Sequence, residues 1–180
     1  MLTLGRPEAQ RYYQHLRDGV QADRFKAEVR QDYSGEDMNP SLERWLHGDR
    51  VGALALLTSE ILGNFDDELR AKTQQGVSFR RVRVVAKPLT PYTAWEFECF
   101  RRFSIPAGEQ ILCVDQSEIL DLRMPDGDWE ILDDKYVTIC HYNETGRMVE
   151  KTFLHQGVDD IEPYLDLRKA LLHRAQPFQC

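Results

Sequence analysis

The sequence contains no long hydrophobic run. Its longest apolar run, residues 51–57, includes a glycine and is far too short to cross a bilayer. The first ten residues show no apolar segment with basic flanks, which would mark an export signal. These absences argue against a membrane-spanning protein, and we expect a cytoplasmic protein without membrane contact.

The motifs of metal sites and of common nucleophilic enzymes are also absent. The five histidines are dispersed, and there is no H-x-x-x-H spacing, Gly-rich phosphate loop, G-x-S-x-G or dinucleotide fingerprint. We therefore expect no metal and no cofactor, and we favour a non-catalytic protein over an enzyme. Four cysteines without a C-x-x-C pair indicate free thiols. The first three are expected to be buried and the last exposed: Cys99, Cys113, Cys140 and Cys180.

Positive charge is in deficit. The chain carries 23 Lys and Arg against 30 Asp and Glu, a net charge of -7, and residues 91–180 account for all of the acidic surplus. Such a balance argues against a protein that binds nucleic acid by neutralising phosphates, so we expect no direct nucleic-acid contact. With 180 residues, of which 42% are hydrophobic, the chain can bury the core of one domain.

The hydrophobic periodicity predicts a single α/β domain. Residues 77–86, 91–103 and 110–115 follow one another as strand, helix and strand, the pattern of a parallel pair. We expect residues 1–75 to form a mostly helical lead-in with one strand. Residues 76–180 then form the α/β core, a mixed, partly parallel sheet flanked by helices and followed by a C-terminal helix. The remaining predicted helices are 7–18, 40–46, 50–62, 66–75 and 158–174, the remaining strands 24–33, 128–132, 136–142 and 147–154, and the turns 34–37 and 143–146.

An arginine-rich strand is the densest chemical feature. Alternation along residues 77–86 places Arg81 and Arg83 on one face and Arg80 on the other. Buried arginines persist only when paired, and the helix that follows offers carboxylates. Either this cluster is a structural network that pins the helix to the sheet, or it is an anion site, since paired arginines suit a carboxylate or phosphate. Its candidate ligand-binding residues are Arg81, Arg83, Tyr92, Glu96 and Glu98.

A second candidate is the carboxylate pair Asp133 and Asp134, which lies with Asp128-Trp129 on either side of a predicted strand pair. Paired carboxylates can hold a divalent metal or divide acid and base roles. They can equally satisfy the backbone amides of a tight turn, and we favour this alternative. Both residues are nevertheless candidates for the same ligand site.

From about residue 20 to 178 the sequence resembles an uncharacterised actinobacterial family of domains of unknown function (number 6879). The resemblance depends on FKAEVRQDY at residues 25–33, RRVRVV at residues 80–85, AGE at residues 107–109, and Asp133 with Asp134. Members look like neighbours of helix-turn-helix regulators, which implies a regulatory or accessory role and no particular activity. Leu112 stands where an arginine is usual in the family, which weakens any anion site that needs that arginine.

The predicted order of elements is also similar to one half of a phospholipase D-like domain. Active members of that group use an H-x-K pair, and the sequence contains none. The residues two positions after its five histidines are Arg17, Asp49, Asn143, Gly157 and Ala175. The resemblance therefore implies a version of the fold without the reaction.

The leading hypothesis is a non-catalytic, cytoplasmic ligand- or partner-binding protein that is accessory to transcriptional regulation. The alternative is a small enzyme of specialised metabolism that uses carboxylates as acid and base beside an arginine-lined pocket. A third hypothesis is an oligomeric protein that pairs through the apolar helix at residues 50–62. The partners that the sequence suggests are a helix-turn-helix regulator, a small anionic ligand and a second copy of the chain.

Overall fold

The computed structural model describes residues 1–33, 35–36 and 39–179. Part of the predicted turn at residues 34–37 and the terminal Cys180 lie outside the described residues. The helices are α1 (Arg6–Asp18), α2 (Pro40–Leu46), α3 (Arg50–Leu56), α4 (Phe65–Gln74), α5 (Pro91–Cys99) and α6 (Glu162–Arg174). The strands are β1 (Leu2–Gly5), β2 (Asp23–Glu28), β3 (Ser78–Val85), β4 (Gln110–Asp115), β5 (Trp129–Leu132), β6 (Tyr136–Tyr142), β7 (Met148–His155) and β8 (Gln176–Pro177).

The eight strands form one mixed sheet in the order β1-β7-β6-β5-β2-β3-β4-β8. The parallel part is β2, β3 and β4, and the remaining pairs are antiparallel. Helix α5 and the π-helical turn after it, Phe100–Ser104, connect β3 to β4, which confirms the predicted parallel strand-helix-strand unit. The predicted fold class, an α/β domain with a mixed and partly parallel sheet flanked by helices, is confirmed.

One face of the sheet is apolar and lies against α6. Because neighbouring side chains on a strand point to opposite faces, Phe25 and Ala27 of β2 contribute to this face together with Val82 and Val84 of β3. All four side chains are at most 2% exposed. Leu171 of α6 is also fully buried among them, so this layer is the main hydrophobic core.

The opposite face has two smaller apolar clusters with charged residues between them. The first cluster packs α1 and α4 on the sheet and includes Leu16, Leu69 and Phe153. The second packs α2 and α3 on α5 and includes Trp45 and Trp95. Between the clusters lie four charged side chains of β2 and β3 that are at most 7% exposed: Arg24, Glu28, Arg81 and Arg83.

Several predicted boundaries are wrong, each for a local reason. Strand β2 ends at Glu28 and not at residue 33, because the amides of Val29 and Arg30 donate to the carboxylate of Asp128. Helix α3 ends at Leu56, and the hydroxyl of Thr58 then accepts from a backbone amide in a turn that competes with helix. The edge strands β1 and β8 are missed by the sequence pattern, because four and two residues are too few for a period. Within the described residues no helix could span a membrane.

Candidate functional site

A row of charged side chains crosses the helix-covered face of the sheet. Lys26 and Glu28 alternate with the apolar residues of β2 and therefore point to this face. The parallel register places Lys26 beside Arg81 and Glu28 beside Arg83. Arg81, Arg83 and Glu28 are all at most 7% exposed, so the row is buried.

Arg81 is fully engaged by two carboxylates. Its Nε and Nη2 donate to Glu109 at 2.8 and 3.1 Å, and its Nη1 donates to both oxygens of Glu28 at 2.9 Å. The guanidinium also lies 4.9 Å from the ring centroid of Phe100. Every guanidinium nitrogen of Arg81 therefore has an acceptor within the chain.

Arg83 is engaged in the same way. Its Nε donates to Glu96 Oε2 at 2.6 Å, its Nη1 donates to the carbonyl oxygens of Glu28 and Val84, and its Nη2 donates to the hydroxyl of Thr93. The side chain has no exposed surface. A buried guanidinium in this state is stabilised by the ion pair and cannot present donors to a bound anion.

The structure thus brings part of the predicted cluster together, but as a closed ion-pair network. Arg81, Arg83 and Glu96 belong to one network, and Tyr92 lies one turn before Glu96 on α5. Carboxylates, backbone carbonyls and the hydroxyl of Thr93 occupy the donors of both arginines, so the expected small anionic ligand would find none of these donors free. Of the two alternatives that the sequence left open, the geometry of the network fits the structural one, in which the ion pairs attach α5 to the sheet.

Glu98 lies apart from this network. Its carboxylate pairs with Arg101 at 2.6 Å and approaches Arg102 at 3.9 Å. Both partners follow Glu98 by three and four residues, as expected for neighbours on a helical surface. The structure does not bring Glu98 into contact with Arg81 or Arg83.

Asp133 and Asp134 also lie elsewhere, in the turn between β5 and β6. Asp133 accepts from the backbone amides of residues 21, 22 and 23, each at 2.9 Å, and these bonds outweigh burial and lower its pKa. Asp134 pairs with Arg168 of α6 at 2.5 Å. Both aspartates have φ in the left-handed region, 52° and 54°, which Asp tolerates better than most residues. The two aspartates therefore have the geometry of residues that stabilise a tight turn, the alternative favoured from the sequence.

A cavity of about 270 Å³ opens beside the charged row. We call it the aromatic cavity. Two of its carboxylates, Glu28 and Glu96, belong to the network described above, and a third, Asp128, is 2% exposed. It is lined by Tyr33, Tyr92, Trp95 and Tyr142, by Lys26, Glu28, Glu36, Glu96 and Asp128, and by Asn39 and Leu42.

The four aromatic rings of this cavity form one continuous wall. The ring centroids of Tyr142 and Tyr33 are 5.9 Å apart, those of Tyr33 and Tyr92 are 5.3 Å apart, and those of Tyr92 and Trp95 are 5.7 Å apart. All three contacts are tilted or edge-to-face, as aromatic pairs prefer. The hydroxyls of Tyr33 and Tyr142 donate to Asp128 Oδ2 at 2.6 and 2.8 Å, which fixes two of the rings.

The carboxylates of the aromatic cavity differ in acidity. Burial and the negative charge of Glu28 raise the pKa of Glu96 to about 7, against the opposing effect of Arg83. Burial disfavours the charged form of Glu28 as well, but Arg81 and Lys26 outweigh it and hold the pKa of Glu28 well below its ordinary value. Glu96 therefore changes its protonation near neutral pH, whereas Glu28 stays charged.

Thiols and imidazoles do not assemble into a site in the part of the chain that the structure describes. No group of three or more His, Cys, Asp or Glu there could hold a metal ion. Cys99 is buried, and Cys113 and Cys140 are half-buried, all three as free thiols. Burial raises the pKa of each thiol, to about 11 for Cys113, so none is an activated nucleophile at neutral pH.

A family model for a domain of unknown function, DUF6879, matches residues 11–180. The chain belongs to the DUF6879 family. No curated protein matches the sequence. The predicted resemblance to this family is thereby confirmed, whereas the likeness to phospholipase D-like domains stays a prediction.

Among solved structures, this DUF6879 chain is similar to that of TrmBL2, an archaeal chromatin protein described as showing a novel mode of DNA binding. The TM-score is 0.45 at 11% identity, and the match covers 98% of this chain and 54% of that one, so this chain spans about half the length of TrmBL2. This finding contradicts our expectation of no direct nucleic-acid contact, and that expectation is dropped. A TM-score of 0.45 carries no argument about what this chain itself binds.

Sequence reasoning missed most of the aromatic cavity of this DUF6879 protein. The sequence pattern predicts that Lys26 and Glu28 lie on the solvent face of a half-buried strand, whereas β2 is a central strand with both faces covered. The sequence groups Asp128 with Asp133 and Asp134, and the contact of Asp128 with Tyr142 carries no spacing signal, because the two residues meet only when β5 pairs with β6. The available signal was the alternation of the charged Arg24, Lys26 and Glu28 with the apolar Phe25 and Ala27 in this strand.

Proposed function

We propose that this DUF6879 protein is a non-catalytic binding protein that takes a small organic cation in the aromatic cavity. The observation that carries the proposal is the unbroken wall of four aromatic rings beside buried carboxylates. Aromatic faces attract ammonium groups, with about 0.5–2 kcal/mol for each well-placed ring. Four such rings in a small cavity are typical of sites for methylated ammonium ions.

The charge of the cavity supports a cation rather than an anion. Four carboxylates line it, and three of them are paired with cations of the chain: Glu28 with Arg81 and Lys26, Glu96 with Arg83, and Glu36 with Arg6. Asp128 forms no ion pair with a described residue and accepts only from amides and tyrosine hydroxyls. Its charge therefore contributes to an electronegative cavity. A volume of about 270 Å³ is at the lower end for ligand pockets and suits a ligand of few heavy atoms.

The test compares a cation with its neutral isostere. Choline and 3,3-dimethylbutan-1-ol have the same shape, and only choline is charged, so titration calorimetry of both separates cation recognition from apolar packing. We expect choline to bind at least about tenfold more tightly. Equal affinity for the two compounds, or binding of neither, would overturn the proposal.

A matched pair of tyrosine variants locates the binding. Tyr92→Leu removes one ring of the wall, and no hydrogen bond of Tyr92 is lost with it in the described structure. Tyr164→Leu removes a ring that packs against Trp129 on the α6 side of the sheet. We expect choline binding to weaken in Tyr92→Leu and to be unchanged in Tyr164→Leu. Equal weakening in both variants would point to a general loss of structure.

The regulatory part of the proposal rests on the resemblance of the sequence to its family. We infer that occupancy of the cavity, not turnover, is the output, and that the protein is accessory to transcriptional regulation. The measurement is expression of the genes adjacent to its own in a strain that carries Tyr92→Leu at the native locus. Unchanged expression would remove this part of the proposal and leave the binding part intact.

One observation favours an enzyme as the second candidate. Glu96 lines the cavity with its pKa raised to about 7 by burial and by Glu28, which suits a general acid or base near neutral pH. A carboxylic ester of choline would then be hydrolysed in wild type and not in Glu96→Gln. Binding of that ester without hydrolysis by wild type would favour the binding protein.

A further inference from the structure

A second cavity, of about 350 Å³, lies on the same face of the sheet beside the aromatic cavity. The two cavities share Lys26, Asp128 and Tyr142 as lining residues, so they adjoin along these side chains. Their charges are opposite, because five cationic side chains and only two carboxylates line the second. We call it the basic cavity, and its charged lining is Arg17, Arg24, Lys26, Arg81, Lys151, Asp128 and Glu130.

Three of the five cations are already neutralised by the chain. Arg81 is bound to Glu28 and Glu109, as described above. Lys26 pairs with Glu28 at 2.5 Å. Arg24 donates from Nε to Glu130 at 3.1 Å and from Nη2 to the hydroxyl of Tyr13. These three cations therefore hold the sheet face together and offer little to a ligand.

Lys151 differs from them. Its side chain is only 6% exposed, yet no described residue accepts a hydrogen bond from its ammonium or pairs with it within ion-pair distance. The ammonium lies 3.7 Å from the ring centroid of Tyr13 and lines the basic cavity. The ammonium nitrogen itself keeps some surface open to the cavity, so an acceptor can reach it only from that side. The structure thus leaves a place for an acceptor at this cavity.

The ammonium of Lys151 remains charged. Burial lowers its pKa, but Cys140, Tyr13 and Glu130 outweigh that effect and the pKa is raised. The group cannot escape the cost of burial by losing its proton at neutral pH.

Arg17 shows the same deficiency independently. Its Nη2 pairs with Glu68 at 2.5 Å, but its Nε is buried without any hydrogen-bond partner. Its guanidinium lies 5.8 Å from the ring centroid of Tyr13, the ring that Lys151 also contacts. Two donors from α1 and β7 thus lack acceptors around one tyrosine, and both residues line the basic cavity.

We propose that the basic cavity binds an anionic group, a carboxylate or a phosphate, through Lys151 and Arg17. These donors are distinct from the engaged pair Arg81 and Arg83. An anionic oxygen at this position would supply acceptors to both donors, through hydrogen bonds that are strong because both partners are charged.

Because the two cavities adjoin, one ligand can fill both, an inference that rests on the proposed function. Lys151 pairs with Cys140 across β7 and β6, Cys140 donates from its amide to the carbonyl of Asp128, and β2 lies beyond. Three strand spacings from Lys151 to Glu28 amount to about 14 Å. A ligand that fills both cavities would therefore be a zwitterion with an anionic and a cationic end.

The first experiment uses inorganic phosphate alone, which does not depend on the aromatic cavity. Lys151→Met keeps the length of the side chain and removes its charge, and Lys169→Met does the same at an exposed lysine of α6. We expect phosphate affinity to fall by about tenfold or more in Lys151→Met and to be unchanged in Lys169→Met. Absence of phosphate binding to wild type, or equal affinity in all three proteins, would overturn the proposal.

A second measurement needs no substitution at Lys151, in case that variant fails to fold. The Nε–H of Arg17 has its own resonance in a proton-nitrogen correlation spectrum. We expect phosphate to shift this resonance in wild type with the same saturation curve as the binding itself. A saturating curve without any shift of the Arg17 signal would overturn the assignment of the site.

The last arm separates the two proposals. A series of ω-trimethylammonio carboxylates, with chains of increasing length between the two charges, is titrated beside choline and phosphate. An optimum length with affinity above both single-charge probes supports a ligand that spans both cavities. Phosphate binding without choline binding overturns only the proposed function, whereas choline binding without phosphate binding overturns only the basic-cavity site.

Discussion

Arg83 donates from its Nε to Oε2 of Glu96 at 2.6 Å, and this buried ion pair joins the central strand β3 to helix α5. The remaining donors of Arg83 end on backbone carbonyls and on Thr93. The pair is therefore closed within the chain. It fixes one wall of the aromatic cavity, since Glu96, Tyr92 and Trp95 all lie on α5.

Removal of one partner of this pair should be more damaging than removal of both. Arg83→Met leaves the carboxylate of Glu96 buried without its cation, and we expect the free energy of unfolding at pH 8 to fall by about 3–5 kcal/mol. Arg83→Met with Glu96→Leu removes both charges and should recover much of that loss. Urea denaturation gives the free energy of unfolding of wild type, the single variant and the double variant. A double variant no more stable than Arg83→Met would contradict the expectation.

An exposed arginine on the same helical segment is the control. Arg101 pairs with Glu98 at 2.6 Å but has about a third of its side chain exposed. Arg101→Met should cost about 0–1 kcal/mol, because solvent screens such a pair. A loss as large as that of Arg83→Met would show that burial does not distinguish the two pairs.

Glu96 should impose a characteristic pH dependence on stability. Its pKa is raised from 4.5 to about 7 in the folded protein, so the folded state binds more protons than the unfolded state between these values. This contribution is fully present below pH 4.5 and is lost as the pH rises to about 7. Wild type should therefore lose stability across this window relative to Glu96→Gln. Parallel unfolding free energies for the two proteins from pH 4.5 to pH 8 would refute the raised pKa.

Asp133 should be a structural residue rather than a ligand-binding one. Its carboxylate accepts three backbone amides and its φ is 52°, so Asp133→Ala loses the acceptors and adds backbone strain. We expect a loss of about 2–4 kcal/mol. Asp133→Asn keeps an acceptor and tolerates the left-handed region, and should lose less. Titration of choline and phosphate into both variants should give wild-type affinities, and a selective loss of either ligand would reassign Asp133 to the site.

Gly127 should be required for the position of Asp128. A Cβ at residue 127 would lie 2.0 Å from the carbonyl oxygen of Cys140, so β5 could not approach β6 as it does. Gly127→Ala should cost about 1–3 kcal/mol and displace Asp128 from the aromatic cavity, which weakens choline binding. Gly5→Ala is the control, because its nearest contact would be 3.8 Å away. Normal melting and choline binding in Gly127→Ala would contradict this account.

The site was predictable only where it is local in sequence. Alternation along β3 placed Arg81 and Arg83 on one face, and the helix after this strand offered Glu96 as a partner, which the structure pairs with Arg83. The same reasoning also offered Glu98 as a partner, but the structure turns Glu98 to Arg101. Proximity along the chain did not distinguish Glu96 from Glu98 as the partner of the arginines. Only the packing of α5 on the sheet selects Glu96.

The sequence by itself determined the types of the longer elements, the parallel strand-helix-strand unit and which residues of a strand share a face, because side-chain periodicity is a property of a single segment. The tertiary structure alone decided that β2 lies between β3 and β5. That order brings Glu28 to Arg81, 53 residues away, and Asp128 to Tyr33, 95 residues away. Ion pairing, desolvation and cavity shape depend on distance in space, which strand order sets and no local pattern encodes.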